Sequence, residues 1–211
     1  MHAVVTADVI GSKKLFSEGY TKESFNTSAK KYNQMMTQYI LTGFSISRGD
    51  EIQGVIVNAE DIPTVVRNLR YFFLPARLRI GIGIGHIDEP IDYENSWDMD
   101  GQAFHRARNA LDTIKDRKMP CTYVISGNPE VDATANVIYT LINAIEAKWT
   151  MPQWEAVYAY ERCGTYKAAG EMLGVAAQNV AKRCKAALWN AVKEGEEHMS
   201  RLLGAVGREE D

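Results

Sequence analysis

Two carboxylates in this chain stand where they could hold a divalent cation. Asp8 lies near the end of an apolar, β-branched run, AVVTADVI (3–10), and Asp50 sits in Arg48-Gly49-Asp50-Glu51 between two short apolar runs. Carboxylates brought together in a partly buried place repel each other, and one takes up a proton unless a cation neutralises the pair. Mg²⁺, or Mn²⁺ in its stead, suits such oxygen ligands and keeps waters and phosphate oxygens as its other partners. In a two-metal arrangement the ions would activate an attacking oxygen and stabilise a leaving one. Each residue also has a plain reading as turn chemistry: Asp8 comes just before Gly11-Ser12, and Gly-Asp is ordinary in hairpins. What separates the two readings is whether the fold brings the residues together.

The elements that would have to do so can be read along the chain. Residues 3–10 form a buried strand running into a loop. Thr21 caps a helix over 21–40, with Phe25, Tyr32, Met35, Met36, Tyr39 and Ile40 at helical spacing. Phe44 to Ser47 and Ile52 to Val57 make a hairpin, and a helix follows from about Asp61 to Phe72 with Pro63 in its first turn. RIGIGIGHI (79–87) alternates strictly, so Ile80, Ile82 and Ile84 share one face and Gly81, Gly83 and Gly85 the other. A bare glycine face admits close approach, best explained by a helix packed on it. It is not a dinucleotide fingerprint, because no helix opens out of it. A helix from Gly101 to Lys115 and a strand from Thr122 to Ser126 complete an α+β, ferredoxin-like order. In such a sheet the first strand lies beside the hairpin, which makes Asp8 and Asp50 neighbours.

Beyond about residue 132 the strand signal ends and the chain becomes Ala-rich and helical. Two domains are expected, 1–132 and 133–211. Pro152 opens a helix lasting to about Arg162 and Gly164 ends it; Thr165 caps a short helix to Leu173, Gly174 turns the chain, and another helix runs to at least Leu188. Residues 165–188 therefore read as a helix-turn-helix, with Ala169 and Gly170 allowing close crossing. Val180, Cys184 and Leu188 are expected inward, leaving Gln178, Asn179, Lys182, Arg183 and Lys185 to reach phosphates and base edges of DNA. Between Thr165 and Ala191 four positive residues (Lys167, Lys182, Arg183, Lys185) stand against Glu171 alone. A helical dimerisation tail with a solvated basic face is the plainer alternative.

Bulk composition narrows the class. With 45% hydrophobic and 24% charged residues the chain is globular, and a net charge of −3 means that any polyanion binding must come from a local patch. Three widely spaced cysteines, Cys121, Cys163 and Cys184, form no CxxC pair and suggest neither zinc nor a disulfide framework. No signal peptide and no membrane-length apolar run is apparent, so a cytoplasmic protein is expected.

Four segments in this order, TADVIGS, GDEIQGVIV, RIGIGIGHI and GQAFHRARNAL, resemble the palm-type catalytic domain of class III nucleotidyl cyclases and GGDEF-type diguanylate cyclases. Over nearly its full length the chain resembles the SatD family, through ADVIGSKKL, FSISRGDEIQG, RIGIGIGHI, DMDGQAFHRARNALDTIK and LINAIEAKWT. The cyclase resemblance implies Asp8 and Asp50 as metal ligands and the amides of Val9, Ile10 and Gly11, with Gly49, along a nucleotide's phosphates. It implies Arg108 as a catalytic arginine; on the same helix His105, Arg106 and Arg108 could form an anion-binding edge, with a solvated charged face an equal account of Arg106. Those enzymes carry asparagine one turn before that arginine; here the position is Phe104. The expectation is a homodimeric regulator that binds nucleotide with Mg²⁺ in its palm and DNA through its helix-turn-helix. The alternative is an active nucleotidyl cyclase or nucleotidyltransferase with a helical tail.

Overall fold

A computed structural model describes residues 1–47, 49–89, 91–92 and 94–206. The elements run β1 (His2–Val9), α1 (Ser12–Ser17), α2 (Lys22–Met36), β2 (Ile40–Ile46), β3 (Ile52–Ile56), α3 (Ile62–Phe72), β4 (Leu78–Gly85), α4 (Gln102–Ile114) and β5 (Cys121–Ile125). Five helices follow: α5 (Pro129–Glu146), α6 (Met151–Cys163), α7 (Tyr166–Leu173), α8 (Ala177–Ala186) and α9 (Trp189–Val206). The chain is thus mixed α+β, with one five-stranded sheet in the order β2-β3-β1-β4-β5. β1 is antiparallel to both β3 and β4, and β5 joins β4 in parallel after the α4 crossover.

The alternation of β4 decides what covers each face. Ile80, Ile82 and Ile84 join Val5, Ala7, Phe25 and Phe73 in the main core beneath α2 and α3. The glycines face α4, whose backbone comes so near that a Cβ on Gly83 would run into the Ala103 carbonyl and the Ala107 amide. Central β1 is covered on both sides, and Ala3, Val4, Val5 and Ala7 are fully buried. That is why its sequence is almost continuously apolar.

Several boundaries differ from the sequence reading. α2 ends at Met36, a 3₁₀ turn covers Thr37–Tyr39, and Ile40 already belongs to β2. Tyr39 keeps the helical spacing but its carbonyl accepts from Val57 N at 3.0 Å, pulling the chain into the sheet. The short α1 was unread. α8 stops at Ala186, so Leu188 does not face inward. It is 58% exposed with φ 54°, and Ala187 and Trp189 take the buried positions on either side.

Residues on both sides of position 132 share the main core: Ala135 and Tyr139 of α5 and Met199, Leu203 and Val206 of α9 pack with the sheet's isoleucines. Buried ion pairs reinforce this joint. Arg67 of α3 meets Glu196 of α9 through two hydrogen bonds of 2.9 and 3.1 Å, with its guanidinium 4.7 Å over the Trp189 ring. Arg70 donates to Thr122 and Asn143 and lies 3.5 Å from Glu146 of α5. Burial pushes Glu196 up to about 7 although Arg67 opposes it, and burial raises Glu146 too.

Two outcomes follow. Gly83→Ala has no flexible neighbour to yield, so it should cost about 3 kcal/mol, the upper end for overpacking, and lower the Tm by roughly 6 °C or more. An unchanged melting curve would remove the glycine-face argument. The carboxyl of Glu196 titrates higher folded than unfolded, so its stabilisation is complete below its ordinary value near 4.5 and is lost as pH rises through about 7. Melting scans from pH 5 to 8 should show a decline on the order of 3 kcal/mol that Glu196→Gln flattens, Glu146 retaining its own share.

Candidate functional site

The end of β1 lies beside the start of β3, and Asp8 there has a partner the sequence reading did not name. Asp8 stands opposite Arg79 in the β1–β4 ladder. The Arg79 guanidinium donates to both Asp8 oxygens, Nε at 2.7 Å and the terminal nitrogen at 2.6 Å, the geometry of a strong charge-assisted pair. The side chains are 16% and 19% exposed, so water weakens the pair only partly.

On the other side of β1, Ala7 faces Ile52. Thr6 donates to Gln53, and Val4 clusters with Val55 beneath α4. Side-chain alternation gives this face to Glu51, with Asp50 one residue earlier on the hairpin itself. Arg108 of α4 reaches down and donates to both oxygens of Glu51 at 2.9 and 3.0 Å. The Glu51 hydrogen bond raises the arginine above its ordinary value, and the charges of Glu51, Asp112 and Asp8 add to this. Two carboxylates and two arginines thus form two closed clasps at one end of the sheet. The repulsion that was to invite a cation is, at Asp8, already balanced by a guanidinium. Among the described residues no group of three His, Cys, Asp or Glu side chains is placed to hold a metal ion.

The phosphate-lining expectation fares unevenly. The Ile10 amide is spent on the Arg77 carbonyl at 2.8 Å, so it does not face a ligand. Gly11 has φ 68° and caps α1, and Gly49 has φ 133° with open space around its Cα; both are conformations that glycine allows most readily. Arg48 lies outside the described residues. The anion-binding edge is not assembled. Arg106 turns from Arg108 to donate to the Ile84 carbonyl at 2.6 Å and lies over Gly127, while His105 is exposed beside Asp100. Phe104, at the asparagine position of the cyclases, is 8% exposed in the small core with Val4 and Val55.

Arg79 and Glu51 are the residues that sequence reasoning passed over. No local pattern marks the pairing: Arg79 is the second residue of β4, and only the antiparallel register with β1 sets it against Asp8.

The second candidate surface lies on α8. Thr165 caps α7 by accepting from Ala168 N, Gly174 ends it with φ 65°, and three residues later α8 begins. A Cβ on Gly170 would meet the Val175 carbonyl in the turn at 2.6 Å and the Ala177 amide that opens α8 at 3.2 Å, so its small size lets the turn and the start of α8 close on α7. Val180 and Cys184 are buried in a core with Trp149, Trp154 and Trp189. Burial drives the Cys184 thiol up to about 11, which makes it a packing residue without nucleophilic character at neutral pH. Gln178, Asn179, Lys182 and Lys185 are exposed, and Arg183 is half-buried. Four of the five residues expected outward are thus exposed, and Arg183 is partly covered. Among the described residues no helix is long and apolar enough to cross a membrane.

No curated protein matches the chain. Among solved structures, the crystal structure of Regulator of Polyketide Synthase Expression from Bifidobacterium adolescentis is similar with a TM-score of 0.32 and 11% identity, covering 100% of this chain and 82% of that one. A match to the SatD family spans residues 2–191, taking in the sheet, both arginine clasps and α8, and the chain belongs to that family.

Proposed function

We propose that this protein is a DNA-binding regulator, acting as a homodimer, whose helix-turn-helix (α7–α8) is mounted on a ferredoxin-like palm domain. The observation that carries the reading is the division of α8: Val180 and Cys184 hold it to a tryptophan-rich core while Gln178, Asn179, Lys182 and Lys185 stand free in solvent. Such a helix can lie in a major groove, with amides reading base edges and lysines meeting phosphates. The palm reading is supported by the strand order β2-β3-β1-β4 with β1 antiparallel to both neighbours. The test is fluorescence anisotropy on mixed-sequence duplex DNA at about 50 mM salt, where non-specific electrostatic binding is strongest. Lys182→Ala with Lys185→Ala should weaken binding and lower the salt slope by roughly 2, one per lost phosphate contact. No binding by the native protein, or a slope untouched by the double variant, would overturn the proposal.

The same reading gives the palm a ligand, supported by the gathering of Asp8, Glu51, Arg79 and Arg108 at one sheet end. Asp8 and Asp50 would hold Mg²⁺ accompanying a nucleotide, and the ion would supply charge neutralisation for its phosphates. For the protein, the consequence is a competition. Phosphate oxygens compete for Arg79 and Arg108, and only a ligand that opens the clasps frees Asp8. A nucleoside triphosphate with Mg²⁺ at a hundred times its Kd should stabilise the protein by about 2.7 kcal/mol, raising the Tm by roughly 5 °C or more. Asp8→Asn should abolish that rise. If none of the four ribonucleotides moves the melting temperature, the palm has no such ligand, and the DNA half stands on its own data.

A further inference from the structure

A cavity of about 200 Å³ lies between the sheet domain and the C-terminal helices, where α3 and the start of β4 meet α5 and α6. On the sheet side it is lined by Leu78 and Ala76, which belong to the core of the isoleucine face. Trp149, Trp154 and Leu74 form apolar walls, Arg70 and Glu146 lie at its base, and Arg77 stands at its rim. The two tryptophans are fixed, edge to face with centroids 4.6 Å apart, and Trp149 Nε1 donates to the Ala187 carbonyl at 2.8 Å.

The base is incompletely bonded. Glu146 is 6% exposed, and among the described residues no hydrogen bond reaches its carboxylate; Arg70 Nε lies 3.5 Å away, and the charge of Arg67 acts on it as well. That Nε is itself buried without a hydrogen-bond partner. Buried polar groups are as a rule satisfied, and a carboxylate with open lone pairs beside a cavity marks a place for a donor. The charge, however, is already balanced: Arg70 compensates Glu146, and Arg70's other nitrogens bond Thr122, Asn143 and the Leu78 carbonyl. A further cation or anion would unbalance the base, whereas a neutral N–H donor would complete it. The volume falls below the usual 300–1,000 Å³ of drug-sized sites, and the indole walls suit a flat ring.

We infer that this cavity binds a small, neutral, planar heteroaromatic molecule carrying an N–H donor, of indole to nucleobase size, with its donor on Glu146 and its ring against Trp149 and Trp154. The site is separate from the Asp8 end and does not depend on nucleotide binding there. Its walls come from both halves of the chain, so an occupant touches the sheet and the helix pair that leads to α7 and α8.

The test uses the full chain with adenine and indole, both neutral at pH 7, as probes, read by saturable quenching of tryptophan fluorescence and by thermal shift. At least one probe should bind, and Glu146→Met should weaken it about tenfold or more, the loss of a hydrogen bond to a charged acceptor. Because that variant leaves Arg70 without its counter-charge and could fail to fold, Leu74→Trp serves as a second: it fills the cavity without touching the base and should abolish quenching with the melting temperature retained. No saturable response to any probe, a response that Leu74→Trp leaves unchanged, or water alone in a crystal soaked with the probes would overturn the assignment.

Discussion

The nearness of α4 to the glycine face of β4 is the constraint on which the rest of this structure depends. Three alternate glycines let a helix backbone settle directly on a strand, closer than any side chain at those positions would permit. Because α4 lies so low, Ala103, Ala107 and Phe104 can close a small core against Val4 and Val55. For the same reason Arg108 reaches Glu51 and Arg106 reaches the Ile84 carbonyl. Lifting the helix by the thickness of a methyl layer would open the small core and both arginine contacts together.

The second organising feature is polar and buried. Arg67–Glu196 and Arg70–Glu146 join α3 to α9 and α5, under the same roof as the apolar core. Buried ion pairs gain little net stability, since desolvation offsets most of their attraction, but losing one partner leaves a costly uncompensated charge. Their effect here is to make the placement of α5 and α9 on the sheet specific: a shifted helix would strand a guanidinium. α5 and α9 are therefore held in one arrangement relative to the sheet.

Local chemistry made many elements legible. Thr21, Thr165, Gly164 and Gly174 act as the caps their types suggest, Pro63 and Pro152 sit in first turns, and the Ile/Gly alternation of β4 separates core from helix as period two requires. Errors arose where tertiary contacts overrode a local pattern. Tyr39 and Ile40 continue the apolar spacing of α2, yet sheet pairing claims them; Leu188 continues that of α8, yet the chain reverses there so that Trp189 can be buried. Asp8 was legible as a polar residue at the end of a buried strand. Its partner was not, because pairing register is a non-local property and Arg79 is 71 residues away.

The amino-acid order by itself determined the α+β class, the glycine face, the turn between α7 and α8 and the basic outward surface of α8, because each follows from spacing within one element or its caps. Only the tertiary structure decided that Asp8 is clasped by Arg79 and Glu51 by Arg108, that Arg106 turns to the sheet, and that α5 and α9 share its core. Those outcomes depend on which elements lie side by side and at what height, and no periodicity within a single segment carries that information.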